Sequence, residues 1–358
     1  MSTTDLLTQA VPACPLCGGD DARPVDRIPD SLAAEINRYL PAGEAALPET
    51  LENRRVRCAG CGLVYLDPRL DGPSLQQVYR LWYGYAYRRV MTDPAHVEER
   101  RREFRDYHLR LLEAHRPRRG RLLDLGCGSG IFLGLAQRNG WTVTGVEFDA
   151  LTAAWARDRE GIADVRCGTL GTVLDPVERF DAITLFDYLE HSDRPGADLD
   201  TLTRHLAPGG ALMVRVPNAG GWQARLMGPR WLAVMSTHLS YFDAPTLRQA
   251  LVARGLVPQY LAAPNYRTEW EIVRQRLAWL RRRLGPATAP AQPAGDGPGP
   301  LVPPVGPLGG ALQRWLASLW VEQVDHLGGW FSQGNMLTAI AARSAVAASD
   351  GAPPADAG

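Results

Sequence analysis

The chain has 358 residues and carries 39 basic residues (lysine plus arginine) against 39 acidic ones. This length accommodates one large domain and a smaller appendage. The charge balance creates no net field toward nucleic acid or an anionic membrane, so it argues against both as general partners. No apolar run is long enough to span a bilayer, and the first residues lack the basic and apolar segments of a signal peptide. We therefore expect a cytoplasmic protein.

Two cysteine pairs mark the amino-terminal part of the chain, Cys14-x-x-Cys17 and Cys58-x-x-Cys61, and a glycine follows each pair. Four thiolates at these spacings predict a closed tetrahedral zinc site that is structural rather than catalytic. Two reducible disulfides or unconnected thiols are the alternatives, and disulfides are rare in the cytosol. We assign residues 1–70 to a zinc-binding module with these four cysteines as metal ligands.

A helical connector is predicted at residues 71–118. Ser74 is a candidate N-cap for a helix through Tyr83, because a serine side chain can accept a hydrogen bond from a free N–H of the first turn. The charged segment Ala95–His115 predicts a longer helix. An aromatic cluster near the first helix favours a packing surface over a binding site; its members are Tyr79, Trp82, Tyr83, Tyr85 and Tyr87.

The stretch Arg121–Asp149 predicts a strand, a glycine turn, a helix and a second strand. The apolar run breaks at the turn Gly126–Gly130, Ile131–Asn139 has helical character, and Trp141–Val146 is apolar up to Glu147. This order describes a nucleotide-binding βαβ unit. Glycines in the turn allow the backbone to approach a ligand closely. Glu147, at the carboxyl end of the second strand, could accept hydrogen bonds from ribose hydroxyls.

Alternating strands and helices continue to the end of the chain and predict a doubly wound sheet. The later strands are predicted at Ile162–Arg166, Phe180–Phe186, Ala211–Val216, a stretch ending near Ala262, and Asn335–Ala342. We assign residues 119–264 and 333–345 to this domain. Residues 265–332 form an insertion in which a Pro/Ala/Gly-rich linker joins two amphipathic helices.

The two helices of the insertion are predicted at residues 270–284 and 311–327. They could cover the active site, mediate a dimer contact or lie on a membrane surface as a peripheral contact. Simple packing on the flank of the domain is the alternative. Residues 346–358 are expected to be a disordered tail.

Several motifs resemble those of the class I S-adenosylmethionine-dependent methyltransferases. Leu123-Asp124-Leu125-Gly126-Cys127-Gly128-Ser129-Gly130 fits the family's first motif at every position. Leu189-Glu190-His191 and Leu206-x-Pro208-Gly209-Gly210 resemble the ubiquinone-type O-methyltransferases within that family. The cysteine module adds a resemblance to the zinc-bearing sugar C-methyltransferases.

The resemblance implies an α/β fold: a doubly wound, seven-stranded class I methyltransferase (Rossmann-like) sheet with a small amino-terminal zinc module and a helical carboxyl-terminal insertion. It also implies S-adenosylmethionine as cofactor. The residues it places around that cofactor are Asp124, Gly126, Cys127, Gly128, Gly130, Glu147, Phe148, Thr169, Phe186 and Asp187. Many relatives have an acid after the third strand, where this chain has Gly168-Thr169-Leu170, so adenine contacts there would come from the backbone or Thr169.

Methyl transfer needs a nucleophile held in line with a sulfonium, and an acceptor hydroxyl or acidic carbon also needs a base. His191 and His238 follow strands at the carboxyl side of the sheet and are the candidate catalytic residues, with Tyr241 and Tyr188 as weaker candidates. The alternative is that either histidine only ties a loop to a neighbouring carbonyl.

These features predict a methyltransferase that acts on a small-molecule acceptor, a sugar or another natural-product intermediate, at oxygen or carbon. A zinc-containing RNA methyltransferase is the first alternative, which the neutral charge and the lack of an Asn-Pro-Pro-Tyr-type element after the fourth strand disfavour. A dinucleotide-binding enzyme and a non-enzymatic binding module are further alternatives.

Overall fold

The computed structural model describes residues 8–28, 54–81, 87–231, 233–263 and 334–344. The predicted insertion at 265–332, with its helices at 270–284 and 311–327, and the tail at 346–358 lie outside these ranges. So do Trp82, Tyr83 and Tyr85 of the aromatic cluster. Among the helices that the structure describes, none has the length and apolar character to cross a membrane.

The first part of the chain contains short strands followed by helices. These are β1 (Thr8–Gln9), β2 (Ala22–Arg27), β3 (Arg54–Cys58), β4 (Val64–Leu66), β5 (Arg69–Leu70), α1 (Gly72–Leu81), α2 (Arg88–Val90), α3 (Pro94–Glu103), a π-helix (Phe104–Leu109) and α4 (Arg110–His115).

The second part alternates strands and helices. Its elements are β6 (Arg121–Leu125), α5 (Ile131–Arg138), β7 (Thr142–Glu147), α6 (Ala150–Glu160), β8 (Val165–Cys167), α7 (Leu170–Val173), β9 (Phe180–Phe186), α8 (Pro195–His205), β10 (Leu206–Pro217), α9 (Trp222–Met227), a 3-10 turn (Gly228–Arg230), β11 (Ser240–Tyr241), α10 (Ala244–Val252), β12 (Leu256–Ala262) and β13 (Met336–Arg343).

Seven strands form the central sheet in the spatial order β12-β13-β10-β9-β6-β7-β8. β6 to β10 run parallel to one another, whereas β13 lies antiparallel between β10 and β12. The strand order reverses at β6, which puts β7 and β8 on one side and β9 and β10 on the other. Ligands of such sheets bind beyond the carboxyl ends of the strands at that reversal. The predicted fold class is confirmed.

The first βαβ unit has the predicted layout because its strands are apolar and its turn is glycine. β6 pairs in parallel with β7, with Leu123 opposite Thr144. Gly130, at the start of α5, has a φ of +78°, which favours glycine. A Cβ at Gly130 would lie 2.8 Å from Ala156 Cβ and 2.8 Å from Ile162 Cδ1. Gly130 therefore lets α5 pack closely against α6.

The amino-terminal module shares its sheet with the methyltransferase-like domain. The four-stranded sheet has the order β11-β4-β3-β2, and β11 comes from far along the chain, where Ser240 pairs with Tyr65. Buried residues of both parts form one hydrophobic cluster, in which Leu16 and Val56 lie with Leu199 and Leu247. The module is therefore fixed against the large domain rather than attached by a linker.

The connector helices lie close to their predicted positions, with one correction. Helix α1 begins at Gly72, and Asp71 Oδ1 accepts a hydrogen bond of 2.8 Å from Ser74 N. The prediction that Ser74 is the N-cap was wrong, because Asp71 occupies that role. Helices α3 and α4 with the π-helix between them span the predicted Ala95–His115, and Phe104 is buried there with its ring 5.0 Å from that of Phe186.

Candidate active site

A cavity of about 1060 Å³ lies at the carboxyl ends of β6 to β10. Its floor includes the glycine turn after β6, the residues after β7 and β8, and Asp187 after β9. Gln9, Arg69 and Leu70 of the amino-terminal module form part of its wall. Its size and position are those of a small-molecule site in an open α/β sheet.

The glycine turn and Glu147 form one hydrogen-bonded unit on this floor. Glu147 Oε2 accepts from Gly128 N at 2.9 Å, and Oε1 accepts from Asp149 N at 2.9 Å. Gly128 has a φ of +55°, and a Cβ there would lie 2.7 Å from Tyr87 Oη. The hydroxyl of Tyr87 also accepts a hydrogen bond of 3.2 Å from Ser129 N. Gly128 is therefore required both by its backbone conformation and by the Tyr87 hydroxyl that lies against it.

Two buried carboxyl groups on the floor of the cavity have raised pKa values. Asp124 and Glu147 expose only 3% and 2% of their surface. Burial raises the pKa of both carboxyls to about 7. Thr184 Oγ1 donates a hydrogen bond of 2.7 Å to Asp124 Oδ1 and so fixes its orientation. Both groups are therefore near the middle of their titration at neutral pH.

The structure brings most of the predicted cofactor residues to this cavity. Those that line it are Asp124, Gly126, Cys127, Gly128, Glu147, Phe148, Thr169, Phe186 and Asp187. Gly130 is not among the lining residues; it lies behind the turn, against α6. The Thr169 hydroxyl lies 3.2 Å from Thr172 Oγ1 within the capping box of α7, and Gly168 N donates to Glu147 O at 2.9 Å.

A buried arginine network at the end of β9 was not predicted from the sequence. Arg215 on β10 exposes 1% of its surface, and its Nε donates to Asp187 Oδ1 at 3.0 Å. Further bonds join Arg215 to Asp187 Oδ2 and to Glu103. Arg100 Nη2 contacts Asp187 Oδ2 at 3.1 Å and Arg100 Nη1 contacts Glu103 at 3.2 Å. The two arginines lower the pKa of Asp187 despite its burial.

The network holds Asp187 in an unusual backbone conformation. Its φ of +55° lies in the left-handed region, which few residues other than glycine adopt. Such strain persists only where the surroundings impose it, and it is common at binding sites. A single arginine inside the apolar strand Met213–Val216 is the signal that could have revealed this ion pair. Its partners on α3 could not be read from the sequence, because they are set by tertiary packing.

The two predicted histidines lie together on another wall of the cavity. The ring centroids of His191 and His238 are 4.6 Å apart and the rings are nearly perpendicular. His191 Nδ1 lies 2.9 Å from the carbonyl oxygen of Thr237 and His238 Nδ1 lies 2.8 Å from that of Ala233. A carbonyl only accepts, so each Nδ1 carries the proton and each Nε2 keeps a lone pair.

Burial keeps both imidazoles neutral. It lowers the pKa of His191, and burial next to His191 lowers the pKa of His238 to about 3. Both residues line the cavity with Glu190, whose pKa burial raises well above its usual range. The hydroxyl of Tyr79 lies 3.0 Å from His191 Nδ1. The hydrogen bonds to carbonyls fit a role for the histidines as loop anchors, whereas their position in the cavity wall fits a catalytic role.

The two tyrosine candidates have different positions. Tyr241 is buried away from the cavity, and its hydroxyl donates to Met235 O at 3.1 Å. Tyr241 is not among the residues that line the cavity. Tyr188 does line it, and its hydroxyl donates to Asp198 Oδ2 at 3.1 Å. The structure therefore groups Tyr188 with the histidines and separates Tyr241 from them.

The four cysteines of the amino-terminal module converge at one point. Their sulfur atoms all lie within 4.8 Å of one another, with 3.6 Å between Cys14 and Cys61 and 3.6 Å between Cys17 and Cys58. Four sulfurs about 2.3 Å from a tetrahedral zinc ion are about 3.8 Å apart. The cluster therefore has the donor set and spacing of a closed zinc site. Cys14, Cys58 and Cys61 are buried and Cys17 is exposed.

Comparison with known proteins agrees with this geometry. Residues 96–261 match the family model of a methyltransferase domain. A ubiquinone biosynthesis O-methyltransferase from Bradyrhizobium sp. (strain ORS 278) is 36% identical over 136 residues, which cover 35% of this chain and 53% of the relative. The enzyme of the same name from Paramagnetospirillum magneticum is 31% identical over 182 residues, which cover 48% of this chain and 73% of the relative.

Among solved structures, an S-adenosylmethionine-dependent methyltransferase from Mesorhizobium loti is 17% identical, with a TM-score of 0.43 over 65% of this chain and 96% of that one.

The sheet order, the glycine turn and the acid after β7 define a class I methyltransferase fold with its binding floor. The chain belongs to the S-adenosylmethionine-dependent methyltransferase family. It spans 53% and 58% of the length of the first two ubiquinone-type relatives.

Proposed function

We propose that this protein transfers a methyl group from S-adenosylmethionine to a small-molecule acceptor, a sugar or another natural-product intermediate, at oxygen or carbon. The observation that carries the proposal is that the glycine turn, Glu147 and the histidine pair open on one cavity. S-adenosylmethionine supplies a methyl group on a positively charged sulfur. The turn fits such a ligand, since Gly126 and Gly128 line the cavity without side chains.

We assign cofactor binding to one side of the cavity and activation of the acceptor to the other. Glu147 accepts hydrogen bonds from the backbone, and its remaining lone pairs can receive ribose hydroxyls. Asp187 lines the cavity beside the turn, with its charge balanced by Arg215 and Arg100. His191 and His238 face the acceptor side, where an unprotonated Nε2 can take a proton from the acceptor. The surrounding apolar wall excludes water, so proximity and alignment lower the barrier.

The proposal is tested first by cofactor binding. We expect Gly128→Val to lower the affinity for S-adenosylmethionine at least a hundredfold, because valine is strained at a φ of +55° and its side chain would collide with Tyr87 and distort the turn. Isothermal titration calorimetry measures this. Gly161→Val is the matched control: Gly161 also has a positive φ, +68°, but nothing lies within 4 Å of its Cβ position. Normal binding by Gly128→Val would show that the pocket is elsewhere.

The buried carboxylate predicts a pH dependence of binding. With its pKa near 7, Glu147 is mostly protonated in the free protein at pH 6 and mostly ionised at pH 8. Ribose binding uses the ionised form, so affinity is lost as the pH falls through 7, by roughly tenfold at one unit below the pKa. We expect Glu147→Gln to bind more weakly at pH 8 and to lose this dependence.

The ratio of wild-type to Glu147→Gln affinity isolates the effect, because titration of the ligand itself is the same for both proteins. Asp124 has a similar pKa and serves as a control, and we expect Asp124→Asn to retain the contribution of Glu147. A ratio that does not change between pH 6 and pH 8 would rule out Glu147 as the ribose acceptor.

We also propose that Cys14, Cys17, Cys58 and Cys61 bind one structural zinc ion. The support is the convergence of four sulfurs with no position left for substrate. The ion would fix the two turns of the module, which in turn forms part of the cavity wall through β1 and β5. The zinc ion would thus stabilise part of the cavity wall without contacting the acceptor itself.

The zinc proposal predicts the loss of one ion in Cys58→Ser. We expect that variant to melt at a lower temperature, since metal binding and folding of such modules are coupled. Turnover should fall more than cofactor affinity, because the module borders the cavity but not the glycine turn. Elemental analysis and calorimetry measure both. Cys167→Ser, which changes an exposed cysteine outside the cluster, is the control.

A further inference from the structure

Arg69, in the wall that the amino-terminal module contributes to the cavity, forms no ion pair within the described part of the chain. Its hydrogen bond there runs from Nη1 to the carbonyl oxygen of Asp193 at 3.0 Å. The other arginines of the cavity differ, because Arg100 and Arg215 are paired with carboxylates. Arg194 is 70% exposed and its Nε lies 3.9 Å from Asp193 Oδ1. The guanidinium of Arg69 therefore keeps N–H groups for a ligand.

The surroundings of Arg69 leave its charge available on the acceptor side. Asp193 is two residues beyond His191, so the hydrogen bond to its carbonyl ties Arg69 to the loop that carries that histidine. Burial lowers the pKa of Arg69, and the charges of Asp193 and Asp67 oppose this, so the side chain stays ionised. Asp67 Oδ1 accepts from Val11 N at 2.9 Å, and the side chain of Asp193 is 63% exposed. An anionic group on the acceptor would neutralise this partly buried charge.

Gln9 stands beside Arg69 on the neighbouring strand. The two residues are directly opposite each other in the antiparallel pair of β1 and β5. Side chains of such a pair lie on the same face, with their Cβ atoms about 5 Å apart. Both residues line the cavity. The planar guanidinium matches a carboxylate or a phosphate, and the carboxamide can donate to another oxygen of the same anion.

A second polar group of the cavity is the carboxamide of Gln223 on α9. Gln223 exposes 2% of its surface, and its Nε2 is buried without a hydrogen-bond partner among the residues that the structure describes. A buried donor without a partner is destabilising, and in the wall of a cavity a ligand can satisfy it. Ala224, next to Gln223, packs in the same hydrophobic cluster as Leu70, next to Arg69. The two polar groups therefore belong to one wall.

We propose that the acceptor is an anionic, oxygen-rich molecule whose carboxylate or phosphate binds Arg69 and Gln9, while a hydroxyl or carbonyl oxygen accepts from Gln223. This inference rests on the proposed methyl transfer and narrows its acceptor to sugar acids, sugar phosphates and similar intermediates. An apolar phenol would leave Arg69 and Gln223 without partners. A site whose polar groups need a ligand discriminates strongly against molecules that lack the matching atoms.

The test is the affinity of the full chain for four small probes in ligand-observed NMR titrations, with S-adenosylhomocysteine present. Glucuronate carries a carboxylate, glucose 1-phosphate carries a phosphate, glucose is neutral and catechol is an apolar phenol. We expect at least one anionic probe to bind at least tenfold more tightly than glucose and catechol. The tighter of the two anionic probes identifies the anion as carboxylate or phosphate.

The variants assign the binding to the two residues. Arg69→Gln should remove the preference for the anion over glucose, and Arg69→Lys should restore part of it, because lysine keeps the charge without the fork. Gln223→Leu should weaken both the anionic probe and glucose. Its melting temperature should not fall, since the change removes a buried donor that has no partner. A merely structural role of Gln223 would lower it.

Arg179→Gln is the matched control, because Arg179 also bonds to backbone carbonyls, those of Pro176 and Glu178, but does not line the cavity. Equal affinity of the wild type for the anionic probes and glucose would overturn the proposal. So would unchanged anion binding by Arg69→Gln, or equal losses in Arg69→Gln and Arg179→Gln.

Affinity for S-adenosylhomocysteine is measured in parallel and separates the two proposals. Normal binding of this product with no preference for anions would leave the proposed methyl transfer in place and overturn the anion subsite. Absence of its binding by the wild type would overturn the transfer. Anion binding that depends on Arg69 would still support the subsite in that case.

Discussion

His191→Ala and His238→Ala are each expected to lower turnover by about a hundredfold or more. A group that moves a proton in the transition state contributes about 10² to 10⁴ in rate. Affinity for S-adenosylmethionine should stay within a few-fold of the wild type, because the rings are bonded to the carbonyls of Thr237 and Ala233 rather than to the glycine turn. Single-turnover methyl transfer from labelled cofactor, with a purified candidate acceptor, measures the effect.

Melting temperature distinguishes this role from loop anchoring. Each ring contributes one hydrogen bond to a carbonyl, and the loss of such a bond costs about 1 kcal/mol. His205→Ala loses a similar bond, to Glu178 O, at a place that does not line the cavity. We expect the three variants to lose similar stability and only the first two to lose turnover. If all three retain turnover within a few-fold, the histidines are anchors and Tyr188 is the next candidate.

The sequence predicted those features whose residues lie close together in the chain. The glycine turn, its helix and Glu147 stand within one short stretch, and each residue type there is required by backbone geometry or by a ligand. The strand at Phe180–Phe186 was predicted with its observed ends, because it is a mostly apolar run after a charged turn. The position of His191 at the cavity follows from the same rule, since the carboxyl ends of parallel strands meet at one edge.

Features that depend on contacts between distant segments were missed. Strand β11 has two residues and no propensity signal, yet it completes the amino-terminal sheet because Ser240 and Tyr241 meet Tyr65 and Val64. Tyr87 was assigned to a packing surface, and the structure places its hydroxyl against the glycine turn. The pairing of His238 with His191 could not be read from the chain either, because it depends on the fold of the loop between β10 and β11.

The arginine network is expected to produce the largest effect on stability. Arg215→Met should lower the free energy of unfolding by about 2 kcal/mol, because it removes a buried guanidinium and leaves the partly exposed Asp187 and Glu103 with one arginine between them. Arg215 also lies over the rings of Phe104 and Phe186, with its guanidinium 5.5 and 5.6 Å from their centroids. Methionine keeps that apolar packing, so the loss reports mainly on charge. Urea denaturation monitored by circular dichroism measures it.

Arg121→Met is the matched control for this change. Arg121 also pairs with a carboxylate, Glu178 at 2.9 Å, and lies over a ring, that of Phe180 at 4.8 Å, but its side chain is 44% exposed. Exposed pairs contribute about 0 to 1 kcal/mol, so the control should change little. Adding Asp187→Asn to Arg215→Met should then cost less than the sum of the two single changes, since the carboxylate left without its partner is removed. Additive losses, or a loss below about 1 kcal/mol for Arg215→Met, would show that Arg215 does not serve to neutralise Asp187.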